Sequence, residues 1–332
     1  MGGAITEPTL EQKKGIFDIV VSELAKSSYK QVIGDLQFSS DSYIIRNNGV
    51  ELPVDNEKGN WIDRIYIYLS KDRKEDYGTF YSFKKFNRAM SIIKNKSLPL
   101  LSLNSQSDND YAELSEYHQR YANAMNPYSG IEQYKNNTFI CCFTKSLRNE
   151  RFWKEYADND SGVAIGFRFD SFNNHDIYSM NYEFRDVFYD EGYALDFYNE
   201  IKFKIYKEYK INFNLNPYET QWFPHFYKRR KYEWEDETRL AISGSSFGKY
   251  LHRDAKEFFD EDGKFIEKFK ILEQPYSTKE INGKRLIELP FNNIYFNIKI
   301  DEIICGKNIT EKEMEEIKEH TKEMDIFVWK RK

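Results

Sequence analysis

The sequence predicts an α+β fold, with a central mixed or antiparallel sheet flanked by helices and an added N-terminal helical element. Hydrophobic residues make up 40% of the 332 residues and aromatic residues 17%, which is enough to bury a sizeable core. Segments with the two-residue period of strands and segments with the 3.6-residue period of helices follow one another irregularly. Irregular alternation favours α+β over a doubly wound sheet.

The first predicted element is an amphipathic helix at 9–28, whose apolar residues recur on one face. The stretch 47–60 is rich in Asn, Gly and Pro and predicts a loop. Residues 1–60 are therefore predicted to form an N-terminal helical extension, and residues 61–332 a single α+β domain.

The next part of the chain mixes both periodicities. The run Ile-Tyr-Ile-Tyr-Leu at 65–69 predicts a strand. Ser82 is placed to cap a helix with apolar residues over 83–93, and a short strand follows at 98–103. Residues 111–125 are predicted to be helical.

The same rules predict the remaining elements. In chain order they are strand 138–144, short helix 150–156, strand 163–169, one or two strands within 177–189, helix 192–212, strand 234–242, a loop over 244–283 with a hairpin at Asn282-Gly283, strand 298–305, helix 311–323 capped by Thr310, and an edge strand at 327–329.

Charge and cysteine content exclude some classes of protein. Lys and Arg number 49 against 54 Asp and Glu, and a net charge of −5 excludes a globally basic nucleic-acid binder. Cys141, Cys142 and Cys305 are too few for a disulfide framework, so we expect a cytoplasmic protein with unpaired thiols, at least two of them buried. The sequence has no transmembrane run and no zinc-ligand spacing, so we expect neither a membrane partner nor a metal.

The densest group of charged residues precedes and enters the predicted strand 234–242. On a strand, Glu235, Glu237 and Arg239 would share one face. Mutual repulsion of the two carboxylates would favour protonation of one of them, which suits acid–base chemistry. The alternative interpretation is a solvated outer face with a stabilising Glu–Arg ladder.

Aromatic and hydroxyl side chains form two further candidate groups. Trp153 and Tyr156 are three residues apart, on one side of the predicted short helix. We expect Trp153 to be mainly structural and Tyr156 to line a cleft. The second group is the adjacent pair Tyr81-Ser82, near the start of an element.

Four segments, in this order, resemble the bacterial family called domain of unknown function 2971, over residues of about 77–325. They are Tyr81-Ser82 with Ile92-Ile93, Leu98-Pro99-Leu100 and Asn109-Asp110; Phe143-Thr144 with Trp153 to Tyr156 and Gly162 to Phe167; Tyr232 with Glu235, Glu237, Arg239 and Leu240; and Ile300 to Gly306. No single segment is specific, whereas the ordered set is more so.

The layout of that family is similar to that of ADP-ribosyltransferases, and its members look like accessory genes of bacteria. The resemblance implies a bacterial defence or toxin-type effector with NAD as cofactor and a nucleic acid or protein as target. By this analogy, Glu237 would hold the nicotinamide-ribose hydroxyl and stabilise an oxocarbenium-like transition state, and Glu235 would orient or deprotonate the acceptor. Arg239 completes the catalytic group. Tyr81, Ser82 and Tyr156 would contact the cofactor.

Two other functions remain open from the sequence. A metal-dependent nuclease would use Asp236 with Glu235 and Glu237, and would take a further acidic ligand from Asp186 or Asp190. A non-enzymatic sensor or protein-interaction module would use the aromatic residues as a binding surface. The sequence leaves the oligomeric state open.

Overall fold

The computed structural model describes residues 8–27, 44–46, 49–51, 76–105, 138–170, 181–189, 193–212, 226–243, 249–253, 269–273, 278–293 and 296–332, with the single residues 30, 33, 71 and 73. The chain divides into two compact units. The first comprises Met1–Lys71, Ala112–Ile131 and Phe188–Tyr232, and the second comprises Asp72–Tyr111, Glu132–Val187 and Glu233–Lys332. The predicted boundary at residue 60 stays a prediction, and the predicted strand 65–69 and helix 111–125 lie outside the described residues.

The described residues contain helices and strands with the following bounds. The helices are α1 (Leu10–Lys26), α2 (Phe86–Asn95), α3 (Glu150–Glu155), α4 (Tyr193–Tyr209) and α5 (Glu311–Thr321). The strands are β1 (Ile44–Arg46), β2 (Gly49–Glu51), β3 (Phe80–Lys84), β4 (Ser97–Ser102), β5 (Thr138–Thr144), β6 (Val163–Asp170), β7 (Asn181–Asp186), β8 (Phe188–Tyr189), β9 (Tyr227–Lys228), β10 (Glu237–Ser243), β11 (Lys249–Arg253), β12 (Phe269–Glu273), β13 (Thr278–Ile281), β14 (Lys284–Pro290), β15 (Asn297–Cys305) and β16 (Phe327–Lys330).

In the first unit, α1 packs against α4. Gly15 makes the approach close, since a Cβ at this position would lie 1.8 Å from the Tyr209 hydroxyl oxygen. Glu23 of α1 accepts hydrogen bonds from Lys204 of α4 and from Lys26. The hydrogen bond from Lys204 outweighs burial and lowers the pKa of Glu23.

The second unit is built on a ten-stranded sheet, which confirms the predicted α+β fold with a mixed sheet. One path through the sheet runs β13-β14-β4-β5-β3-β6-β15-β16, and β10 pairs with the other edge of β5 and with β7. The β15–β16 pairing is parallel, and the other pairings along this path and through β10 are antiparallel. Because β16 ends the path, it is the edge strand that the sequence predicted.

The two faces of this sheet carry different cores. On one face, α2 and α5 cover a large cluster that is rich in phenylalanine, in which Phe184 contacts the rings of Phe80 and Phe169 at 4.8 and 4.6 Å between centroids. On the opposite face, α3 covers a smaller cluster of buried residues. Its members are Phe83, Phe152, Trp153, Ala157, Ala164 and Ile304.

Three local predictions were wrong. Ser82 does not cap a helix, because it lies inside β3, where backbone pairing with β6 takes up its segment; α2 begins only at Phe86. The predicted loop 47–60 contains β2, which pairs with β1. The stretch 244–283, predicted to be mostly loop, contains the antiparallel pair β11–β12. The hairpin within it is confirmed, since Asn282 and Gly283 have φ of 52° and 71° between β13 and β14.

None of the three cysteines forms a disulfide, as predicted. Cys141 and Cys305 are buried and Cys142 is exposed. Burial raises the pKa of the Cys141 thiol and raises that of Cys305 to about 11. Within the part of the chain that the structure describes, no helix has the length and apolar character needed to cross a membrane.

Candidate active site

The acidic pair of the candidate site lies where a 3₁₀ helix meets a strand. The 3₁₀ helix Arg230–Glu235 is followed by Asp236 with φ of 41°, and β10 begins at Glu237. The observed strand therefore begins three residues later than the predicted strand 234–242. As a result, Glu235 is not on the strand with Glu237 and Arg239. The left-handed turn at Asp236 breaks the two-residue alternation on which that prediction depended.

Glu237 and Arg239 form a buried ion pair on one face of β10, as their spacing predicted. Arg239 Nε donates to Glu237 Oε1 at 2.6 Å and Arg239 Nη2 donates to Oε2 at 3.2 Å. The exposed fractions of Glu235, Glu237 and Arg239 are 4%, 5% and 2%. The alternative of a solvated outer face therefore does not hold, and a two-pronged guanidinium contact favours the ionised form of this carboxylate.

Helix α3 places Tyr156 against the other carboxylate. Asn149 caps α3 by accepting from Arg151 N, and its Nδ2 donates to the carbonyl oxygen of Trp234 at 3.1 Å. The hydroxyl of Tyr156, just after α3, donates to Glu235 Oε1 at 3.0 Å. Tyr156 remains 40% exposed, so its ring is accessible beside a buried carboxylate.

Trp153 is a packing residue, as predicted. It is 1% exposed, its ring meets that of Phe83 edge-on at 4.9 Å, and the Arg331 guanidinium lies 4.6 Å from its centroid. Its indole N–H donates to the carbonyl oxygen of Leu147 at 3.4 Å. Trp153 therefore anchors α3, and through it Tyr156, on the sheet.

Strand register brings Tyr81 to the same face as Glu237. Five residues lie side by side across β10, β5, β3, β6 and β15: Glu237, Thr144, Tyr81, Gly166 and Glu302. We refer to these five residues as the polar row. Directly paired residues of neighbouring strands project from the same face. Two strand spacings separate Tyr81 from Glu237, which corresponds to about 10 Å between their Cα atoms.

Within the polar row, the Tyr81 hydroxyl donates to Glu302 Oε1 at 2.6 Å. Burial, together with the neighbouring carboxylate of Glu302, raises the pKa of Tyr81 well above its usual value. The side chain of Ser82 lies on the opposite face and donates to the carbonyl oxygen of Cys142 at 3.1 Å, so the structure does not bring Ser82 to the polar row. Sequence reasoning missed Glu302, although an acidic pair that interrupts the apolar run 298–305 was a usable signal.

The acidic residues considered for a metal site are not gathered into one. Among the residues that the structure describes, no group of three or more His, Cys, Asp and Glu side chains could hold a metal ion. Asp186 accepts from Arg73 Nε and from Thr238 Oγ1, each at 2.8 Å. Asp190 lies outside the described residues.

The comparisons with known proteins give one finding. Residues 152–240 match the family described as "Protein of unknown function (DUF2971)", which confirms the predicted family resemblance. The matched stretch contains Tyr156, Glu235, Glu237 and Arg239, and it excludes Tyr81 and Glu302. No curated protein and no solved structure matches the chain.

Proposed function

We propose that this protein is an ADP-ribosyltransferase-like enzyme that transfers ADP-ribose from NAD to a nucleic acid or a protein, as a bacterial defence or toxin-type effector. One observation carries the proposal: Glu235 and Glu237 are both buried, on either side of the left-handed residue Asp236, and each accepts a hydrogen bond from a different side chain. Two fixed carboxylates with different partners are suited to two different roles at one reacting centre.

Glu237 is the residue suited to the developing positive charge. In the proposed reaction, the bond between the ribose C1′ and the nicotinamide nitrogen breaks, and its electron pair leaves with neutral nicotinamide. The ribosyl group passes through an oxocarbenium-like transition state. The Arg239 guanidinium favours the ionised form of Glu237, and an ionised carboxylate held in a buried position stabilises such a cation without reorganising.

Glu235 is the residue suited to the acceptor. The acceptor O–H or N–H group forms the new bond to C1′ and gives its proton to Glu235, so that the products are ADP-ribosyl acceptor, nicotinamide and a proton. Tyr156 donates to Oε1 of Glu235, and this hydrogen bond helps to fix the carboxylate in the position from which it would meet the acceptor. The half-exposed ring of Tyr156 gives the acceptor or the nicotinamide an aromatic surface.

The test is release of nicotinamide from NAD by the full-length chain, with conservative variants of each carboxylate. Glu235→Gln keeps the shape of the side chain and removes the base. Glu237→Asp keeps the charge beside Arg239 but withdraws it by one methylene group. We expect each to lower the rate at least a hundredfold, the order of magnitude that follows from loss of a positioned base or charge.

Stability must be measured on the same samples. Glu237→Asp retains a partner for the buried guanidinium, so the free energy of unfolding should change by only about 1 kcal/mol. Glu288→Gln serves as the control, because Glu288 on β14 forms a surface ion pair with Lys279 on β13. Wild-type rates in both carboxylate variants would contradict the proposal, as would a wild-type protein that releases no nicotinamide. A cell-growth or phage-plating assay of the same variants tests the effector role.

A further inference from the structure

We infer that Glu302 is a positioning residue of the proposed active site, which holds Tyr81 so that the face of its ring, and not its hydroxyl, is presented to the cofactor. The inference rests on the proposed function. It extends that function to a strand that lies outside the stretch matched to the family and that none of the predicted site residues occupies.

Gly166 creates the space in which Tyr81 and Glu302 meet. A Cβ at Gly166 would lie 2.7 Å from Thr79 Cγ2, 3.0 Å from Tyr81 Cε1 and 3.2 Å from Glu302 Cγ. Since real Cβ atoms essentially never approach other atoms within 3.0 Å, a Cβ at this position would displace the Thr79 side chain, and Tyr81 and Glu302 would have to give by a few tenths of an ångström. The Tyr81 ring therefore crosses bare backbone of β6 to reach Glu302 on β15.

Both oxygens of Glu302 accept hydrogen bonds. Oε1 accepts from the Tyr81 hydroxyl at 2.6 Å, and Oε2 accepts from the Trp329 indole N–H at 2.9 Å. A carboxylate held by two donors on opposite sides cannot rotate freely, so it fixes the direction of the Tyr81 hydroxyl. Trp329 is thereby a second, indirect support of Tyr81 from the edge strand β16.

This geometry decides which part of Tyr81 meets a ligand. Along the polar row, Glu302 lies on the far side of Tyr81 from Glu237, so the hydroxyl points away from the catalytic carboxylate. Thr144, a small side chain, is the member of the row between Tyr81 and Glu237. A planar ring stacked on Tyr81 would then extend its ribose back towards Glu237, across more than the distance of about 10 Å that separates the two Cα atoms, because the Tyr81 ring leans away from Glu237.

Calorimetric titration of the full chain with NAD tests the inference through a double-mutant cycle. Tyr81→Phe keeps the ring and removes its anchor, whereas Glu302→Gln leaves a single acceptor oxygen for two donors. We expect each change to weaken NAD binding about tenfold, and the double variant to bind no more weakly than either single variant, because both remove the same contact. Glu316→Gln alters a surface ion pair between Glu316 on α5 and Lys94 on α2, and this variant should bind as the wild type does.

The outcomes separate this inference from the proposed function. If the wild type binds NAD and either single variant binds it equally well, or if the two losses add to about a hundredfold, Glu302 does not act through Tyr81 and the inference is overturned. A wild type that binds no NAD overturns the proposed function and the inference with it.

A spectroscopic signal tests the shared carboxylate without any ligand. The chain has five tryptophans, and loss of a signal in Trp329→Phe identifies the Trp329 indole N–H resonance among them. Tyr81→Phe should shift this resonance, since it removes the other donor to Glu302, whereas Glu316→Gln should leave it in place. An unchanged resonance in Tyr81→Phe would overturn the inference.

Discussion

Replacement of Trp153 by alanine should markedly lower the denaturant concentration at which the second unit unfolds. The indole is 1% exposed, and a buried tryptophan removes about 150–250 Å² from water. At about 25 cal/mol per Å², this area corresponds to about 4–6 kcal/mol, from which the retained Cβ and partial collapse of the cavity subtract. The expected loss in the free energy of unfolding is therefore about 3–5 kcal/mol.

The assay is urea unfolding at neutral pH, followed by far-ultraviolet circular dichroism because the substitution removes a fluorophore. Trp153→Phe fills part of the cavity and should lose about half as much. Tyr156→Phe, at the C-cap of the same helix, is the matched control, since it removes one hydroxyl from a residue that is 40% exposed. It should change the free energy of unfolding by about 1 kcal/mol or less and still lower nicotinamide release. A loss below about 1 kcal/mol in Trp153→Ala would refute the packing role of Trp153.

Two further predictions concern the thiols and a close backbone contact. At pH 8 one thiol in the native chain, that of exposed Cys142, should react rapidly with iodoacetamide. Cys141 and Cys305 should react only after unfolding, because both are buried. In addition, a pKa of about 11 leaves about one Cys305 thiol in a thousand ionised at this pH. A rapid phase that persists in Cys142→Ser would contradict this. Gly162→Ala should lower the free energy of unfolding by about 1–3 kcal/mol, since its Cβ would lie 2.3 Å from a backbone carbonyl oxygen of β3. A Cβ at Gly78 would meet side-chain atoms only, Asp76 Oδ1 at 3.0 Å and Lys145 Nζ at 3.8 Å, so Gly78→Ala should change the free energy of unfolding by less than about 0.5 kcal/mol.

Sequence patterns predicted best where packing alone decides the structure. The bounds predicted for the strand 138–144 are those of β5, because seven consecutive residues with strong strand preference are stable when they are buried in a sheet. The N-terminal cap of α5 was also predicted correctly from the sequence, since Thr310 and Glu313 form a capping box whose spacing is fixed by helix geometry. In both segments, local preference and tertiary structure agree.

The predictions failed where a single backbone dihedral angle or a long-range strand pairing determines the local structure. Nothing in the spacing of Glu235 and Glu237 shows that Asp236 turns left-handed and takes Glu235 off the strand. Likewise, Ser82 has the preference of a helix cap, and only the pairing of β3 with β6, about 80 residues further along the chain, makes it a strand residue. Both failures concern residues of the candidate site, and in both the local sequence pattern disagrees with the structure that is formed.

The polar row has a consequence for the order in which the proposed site is assembled. Tyr81 and Glu302 are 221 residues apart in the chain, and the strands that carry them meet only across β6. Contacts of such high sequence separation form slowly, because the entropy of closing the intervening chain is lost before the contact stabilises anything. During synthesis, Glu235 and Glu237 leave the ribosome well before β15 does, so the carboxylates exist for a time without an ordered Tyr81. Under the proposed chemistry, the site would bind NAD with its full affinity only once the chain has been completed through β15.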